Sequence, residues 1–478
     1  MLLLGVSQAQ IQAHADQAPA DWKAAAQQDI RFLIDTIRER DAGSAAGRLD
    51  VTMPLDAGAV AALAQAERVQ TQLDYRRLIV GFVDSFADPH LGIRLHLKAQ
   101  GWTGIVLDRV DEQYRVIWSE PGWPGALPPQ GATVQSCDGE WIGSYLKGSV
   151  APFINHGIEY PTTFSELARQ SMFDIGLGWT PKTCRFILRD GSRKDFDLPL
   201  RAIPDEVSEA RVAEVKRHFA AAAKPVGIYR LGRDKLWLGM PNFDGRVSSD
   251  AYDAMYRHLA NEKHAKWVVL DLRGNGGGDS SWGNRALQAL YGKEYGEKLD
   301  DMAGYVKELT ANESTIELYR RYASLPEFIA SRSAIEKDLH AIEAAHGAGR
   351  TMAQVDGMTL EQALAEAAQL RTRPHGSPRI AALIDRGCFS SCMNLVQQIS
   401  AIGDTVILGE PTLGYSAYGE INSFSLPSGH GSINVPSAVY TAFQAPREPF
   451  MPAIAYAGNM ADDEAVMKWV DKALSSMK

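Results

Sequence analysis

The chain has 478 residues, 45% of them hydrophobic and 22% charged, with a formal net charge of -9, an ordinary globular composition with apolar material for roughly three domains of about 150 residues. The acidic balance and the lack of any long basic run exclude nucleic acid and anionic lipid as expected partners. No apolar run approaches the roughly 18 to 20 residues that span a bilayer.

The first residues, Met1-Leu2-Leu3-Leu4-Gly5-Val6-Ser7 and then Gln8-Ala9-Gln10, read as the remnant of a secretory signal peptide without its positive n-region. The competing reading is a frayed cytoplasmic start. Four cysteines, Cys137, Cys184, Cys388 and Cys392, form an even set that weighs toward an oxidising compartment. A periplasmic or secreted location is therefore expected over a cytoplasmic one. Cys388 and Cys392 have no nearby histidine and the other two cysteines are distant in sequence, so no metal is expected.

After residues 1–20, a helical domain is expected over 21–92. Apolar residues recur at helical spacing in Ile30, Leu33, Ile34 and Ile37, and again from Val60 to Phe82. Ala87-Asp88-Pro89-His90 ends the pattern, because the residue before proline is pushed out of the helical region. Over 93–203 the periodicity becomes strand-like, and two runs end at Asp138-Gly139 and Asp190-Gly191, dipeptides suited to tight turns. The order of these strands resembles a bacterial PDZ module. In that resemblance Cys137 and Cys184 lie on strands that can be neighbours, which allows a disulfide.

An α/β core is expected over 204–297 and 373–478, from buried-strand patterns at Leu236–Met240, Trp267–Leu272, Ile380–Ile384 and Thr405–Leu408 that alternate with helices. The intervening 298–372 is charged and Ala-rich with no strand signal. It reads as a helical insertion able to cap a site.

Two segments carry chemistry. Asp271-Leu272-Arg273-Gly274-Asn275-Gly276-Gly277-Gly278 follows a buried strand, and its glycines let backbone N–H groups approach an anion unobstructed. It lacks the Lys-Ser/Thr of a nucleotide-binding loop. Leu383 to Val396 reads as strand, turn and amphipathic helix, with Ser390 and Ser391 at the helix start. A serine there is lifted clear of the sheet beside N–H groups that stabilise developing negative charge. Alone, such a serine is more often only a helix cap.

Together the two segments resemble the carboxyl-terminal processing peptidases and their tricorn-core relatives, the tail-specific protease superfamily. The resemblance extends to Gly409-Glu410-Pro411-Thr412-Leu413-Gly414, Tyr418-Gly419-Glu420 and Leu426-Pro427-Ser428-Gly429. It implies a ClpP/crotonase-like ββα sheet, Ser390 as nucleophile, and an oxyanion hole from the Gly276-Gly277 turn and the Ser391 N–H. The chain departs from the processing peptidases at Tyr415, which stands after Gly414 where they carry a lysine base. A tyrosine with an ordinary pKa near 10 cannot replace it.

His90 resembles the histidine base of the tricorn-like branch, and imidazole suits abstraction of a serine proton. The residue that would orient it is to be chosen among Glu420, Glu448, Asp84 and Asp88, with Glu420 preferred. Cys388 and Cys392 either pair with each other or pack as small buried residues. The expected function is a cofactor-free serine endopeptidase acting on peptides or unfolded protein tails, with homo-oligomerisation left open. A catalytically silent peptide-binding scaffold of the same fold is the alternative. An esterase is disfavoured by the lack of a Gly-x-Ser-x-Gly elbow.

Overall fold

The computed structural model describes residues 21–96, 101–154, 157, 160–203, 213, 223–262, 264–301, 305–328, 331–355, 359, 361, 362, 365, 368, 370, 372–414, 416–442 and 448–477. The opening segment and Tyr415 lie outside them.

Three helices, Trp22–Arg40, Leu49–Ala66 and Gln72–Asp84, form the N-terminal layer. Asp21 caps the first by accepting from the Ala24 N–H, and Thr71 with Asp74 makes a capping box on the third. Their apolar faces meet through Ile30, Leu33, Ile37, Leu55, Leu78, Ile79 and Val83. The same cluster takes in Tyr418, Ile433, Val435 and Val439 from the far end of the chain. The helical pattern stops where Pro89 required, with Ala87 at φ 51. The chain then enters a strand, Gly92–Leu95, that pairs antiparallel with Gly431–Ala442 from Gly92 opposite Asn434 to Leu95 opposite Gly431. His90 thus lies between a packed helix and a paired strand.

The second region is an antiparallel sheet of Ile105–Val110, Gln113–Ser119, Thr133–Cys137, Glu140–Trp141, Thr183–Ile187 and Arg193–Asp197, with the helix Pro161–Gln170 against its edge strand Ile105–Val110. Both Asp-Gly turns form. Asp138 and Gly139 have φ 48 and 84, the pair of positive values that a two-residue hairpin turn demands. Cys137 and Cys184 are directly opposite one another on paired strands and form a disulfide.

The core is a six-stranded sheet in the order Gly227–Arg230, Lys235–Gly239, Trp267–Asp271, Arg379–Ile384, Val406–Gly409 and Ile454–Ala455. All neighbours are parallel except the first pair. Apart from Asp271 and Arg379 at their ends, its central strands are apolar because both faces are covered. The helices Gly245–Leu259, Ser281–Tyr291 and Ser391–Ala401 cover one face, and Asp463–Ser476 covers the other through Val466, Val470 and Leu474.

The stretch 298–372 differs from its expected form. Its helices Glu313–Ser324 and Arg332–Gly347 are joined by two strands, Tyr305–Thr310 and Met352–Gln354. These extend a five-stranded sheet with Gly431–Ala442, Tyr418–Ser425 and Gly92–Leu95. Its charged residues hid the strands: Lys307 and Glu308 interrupt the apolar run, yet Lys307 is held inside by Asp338 and Glu420.

The Cys137–Cys184 bond closes a loop of sequence separation 47, so it constrains the unfolded chain substantially. Cys137→Ser with Cys184→Ser is expected to lower stability by about 2–4 kcal/mol in denaturant titration.

Candidate functional site

The glycine segment is fixed by a buried ion cluster. Asp271, at the end of its strand, accepts from Arg273 Nε and Nη2, each at 2.8 Å, and from Trp237 Nε1 at 3.1 Å. Arg273 is wholly buried and also donates to Asp463 Oδ1 and the Met460 carbonyl, both at 2.8 Å. A buried charge tolerates removal from water only with partners of this kind. The Asp-Leu-Arg part of the motif therefore has an anchoring role.

The following turn is shaped by side-chain oxygens. Asn275 donates to the Met240 carbonyl at 2.8 Å and accepts the Gly277 N–H at 2.9 Å. Asp385 accepts the N–H of Gly274 at 2.8 Å and that of Gly387 at 3.0 Å, so one carboxylate oxygen joins the glycine turn to the serine turn. Burial pushes the Asp385 carboxyl up to about 6, opposed chiefly by the Gly274 N–H bond.

Ser390 stands at the cap position of the helix Ser391–Ala401, yet its side chain makes no capping bond. Its backbone has φ 55 and ψ -125, a region L-residues avoid at a cost of about 1–3 kcal/mol. Its hydroxyl has no hydrogen-bond partner among the described residues. Ser391 differs: its hydroxyl donates to the Gly278 carbonyl at 2.6 Å and accepts from Ser280 at 2.9 Å. The structural and the available serine of the pair are thereby separated.

The glycine turn lies against Ser390. A Cβ on Gly277 would sit 2.8 Å from both the Phe389 carbonyl oxygen and Ser390 Cβ, and 2.9 Å from the Ser391 nitrogen. Of the three expected oxyanion donors, the Gly277 N–H is already committed to Asn275. Those of Gly276 and Ser391 make no hydrogen bond among the described residues.

His90 packs its ring on Phe389, the residue before Ser390, with centroids 4.7 Å apart. No hydrogen bond joins the imidazole to Ser390, and Nδ1 is buried without a well-formed partner among the described residues. Burial lowers the His90 pKa below 6.5, opposed by Asp88, the Tyr418 carbonyl and Glu420. Asp88 is buried beside it, accepting the His90 N–H at 3.0 Å and the Ser416 hydroxyl at 2.7 Å.

The other carboxylates fall elsewhere. Glu420, preferred from the sequence, does not bond the imidazole. With φ 56 between Gly419 and Ile421, it accepts from Tyr440 at 3.2 Å and pairs with Lys307 at 3.4 Å, and its influence on His90 is through its field. Asp84, which burial pushes up to about 7, lines a cavity of about 750 Å³ near Phe153 that neither Ser390 nor His90 borders. Glu448 is exposed.

Sequence reasoning missed Asn275, Asp385 and Ser416. The first two stand two residues before Gly277 and Gly387, the spacing of an Asx turn, and were readable on that ground. Behind the two turns, a cavity of about 940 Å³ is lined by Gly274, Asp385 and Gly387 on one side and by Asp108, Arg109 and Arg169 of the antiparallel sheet region on the other. Arg386 crosses to Asp108 at 3.4 Å and to Glu410 at 3.3 Å.

Residues 236–444 match the model of peptidase family S41. Over that span the chain is of the S41 peptidase family. It is a serine peptidase, and the matched span holds the glycine turn and Ser390 while His90 lies outside it. Among solved structures the chain is similar to mature CPAF, at 12% identity and a TM-score of 0.67, covering 95% of this chain and 98% of that one. It is similar also to mature CPAF complexed with lactacystin, at 12% identity and a TM-score of 0.68, covering 95% and 99%. At that identity the likeness is one of fold. No curated protein matches the sequence.

Gly277→Ala would drive a Cβ into the serine turn at a φ of 93. It is expected to lower kcat/KM of the peptidase about 10²-fold through displacement of the site, with circular dichroism unchanged. The depressed His90 pKa leaves the imidazole neutral at pH 7. With His90 as the base that the sequence suggests, an acid limb of kcat/KM with its midpoint below 6.5 is expected, and Asp88→Asn, which removes a charge favouring protonation, should move that midpoint further down.

Proposed function

We propose that this S41 chain is an endopeptidase working through a Ser390–His90 dyad. Ser390 Oγ attacks the peptide carbonyl, His90 takes its proton and later delivers it to the leaving amine, and water then releases the acyl group. The Gly276 and Ser391 N–H groups hold the oxyanion, an arrangement in which each donor is worth roughly 10²–10³ in kcat. Asp88 sets the position of the His90 backbone, and Glu420 contributes its charge from the Lys307 side.

One observation carries the reading. A serine in a strained turn, with a free hydroxyl, faces a glycine turn in close contact while a neutral imidazole rests on the residue before it. The missing Ser390–His90 hydrogen bond is compatible with a site that tightens when substrate binds.

The antiparallel sheet region is read as a PDZ-like module. Its edge strand Ile105–Val110, with Pro161–Gln170 across it, suits strand addition by an extended peptide. The substrates are then peptides or unfolded protein tails, and the two disulfides fit an oxidising, periplasmic or secreted setting.

Treatment with a fluorophosphonate, followed by peptide mapping, tests the dyad. Modification is expected at Ser390, absent in Ser390→Ala and slowed about 10²-fold or more in His90→Ala. Modification at another residue, or undiminished labelling of His90→Ala, would overturn it.

A further inference from the structure

A backbone such as that of Ser390 persists only where its surroundings over-determine it. On one side the surroundings are the glycine turn. The Phe389 N–H donates to the Asn275 carbonyl at 3.0 Å, and Gly277 leaves just enough room for the Phe389 carbonyl and Ser390 Cβ. On the other side is a covalent ring. Cys388 and Cys392 are joined by a disulfide that encloses Phe389, Ser390 and Ser391, with Cα atoms 5.5 Å apart.

Each end of that ring is anchored. Cys388 donates its N–H to the Asp385 carbonyl at 3.1 Å, beside the carboxylate that joins the two turns. Cys392 belongs to the first turn of the helix Ser391–Ala401, whose Leu395, Val396 and Ile399 are embedded in the core. Both cysteines are buried in that same core, at 1% and 0% exposure. The bond therefore fixes the distance between the end of the serine turn and the start of the helix, the two points between which Ser390 must turn.

General stabilisation is a poor account of this bond. Cross-links stabilise a fold more as the loop they close lengthens, and this one spans a sequence separation of 4 against 47 for Cys137–Cys184. What distinguishes it is that it encloses Ser390.

We propose that the Cys388–Cys392 disulfide is a positioning element of the catalytic site. It holds Ser390 in its strained conformation and keeps the free Ser391 N–H beside the Gly276-Gly277 turn. The proposal rests on Ser390 being the nucleophile. Without the bond, strain of this kind relaxes and the competent turn falls to about a tenth of molecules.

The test uses the oxidised full chain as wild type, Cys388→Ser, Cys392→Ser, the double serine variant, and Cys388→Ala with Cys392→Val, which refills the space with carbon. Cys137→Ser with Cys184→Ser serves as the comparison. Thermal midpoint, kcat and KM on fluorescein-labelled casein, and the rate of fluorophosphonate labelling at Ser390 are measured for each. All four Cys388 and Cys392 variants are expected to lose about tenfold in kcat and in labelling rate, with KM within about twofold of wild type. The Cys137 and Cys184 variant should lose thermal stability yet label at the wild-type rate. Wild-type kcat and labelling in any folded variant lacking the Cys388–Cys392 bond would overturn the positioning role alone, as would activity that simply follows the thermal midpoint across both pairs. A wild-type chain that does not label at Ser390 would overturn the nucleophile assignment and this role with it.

Discussion

One carboxylate oxygen connects the two halves of the site. Asp385 Oδ1 accepts from Gly274 at the end of one parallel strand and from Gly387 after the next, so the glycine turn and the serine turn cannot move independently. The close packing of Gly387 on Gly274, where a Cβ would lie 2.8 Å from the Gly274 Cα, depends on that bridge. So does the approach of Gly277 to Ser390. The bridge has an electrostatic cost, visible in the raised Asp385 carboxyl, offset by two backbone donors that would otherwise be left without an acceptor. The Asp271–Arg273–Asp463 cluster does the same one layer down, holding the strand end from which the glycine turn starts.

The histidine is positioned by a different kind of constraint. Within its loop, Pro89 and a left-handed Ala87 end the helix and Asp88 accepts the His90 N–H. What fixes it is that both neighbours are committed, the helix Gln72–Asp84 to the N-terminal core and the strand Gly92–Leu95 to Gly431–Ala442. Asp88 and Ser416 then tie the loop to the segment leading into Tyr418–Ser425. Burial that lowers the imidazole pKa also keeps it in the form able to accept a proton, so the same packing serves position and protonation state.

Much of this was legible in the sequence because it rests on local rules. Apolar runs marked the central strands, Asp-Gly marked the hairpins, and the glycine segment with Ser390 marked the family. The partners of Glu420, Lys307 and Tyr440, were not legible because they come from strands whose adjacency no local pattern reveals. The strand Tyr305–Thr310 was missed for a related reason: an internal lysine looks like a solvated face until the acids that neutralise it are seen. The even cysteine count pointed to an oxidising compartment and left the pairing of Cys388 with Cys392 open; the fold shows that one disulfide crosses paired strands and the other encircles Ser390.

The long strand Gly431–Ala442 pairs with Gly92–Leu95, Tyr305–Thr310 and Tyr418–Ser425, which gives the chain an order of assembly. During synthesis the strand that secures the His90 segment emerges on the order of tens of seconds after it at ordinary elongation rates. Until then the N-terminal helices lack part of their core and the histidine has no fixed station. With His90 as the proposed base, the site is completed only once that distant strand has been made and paired.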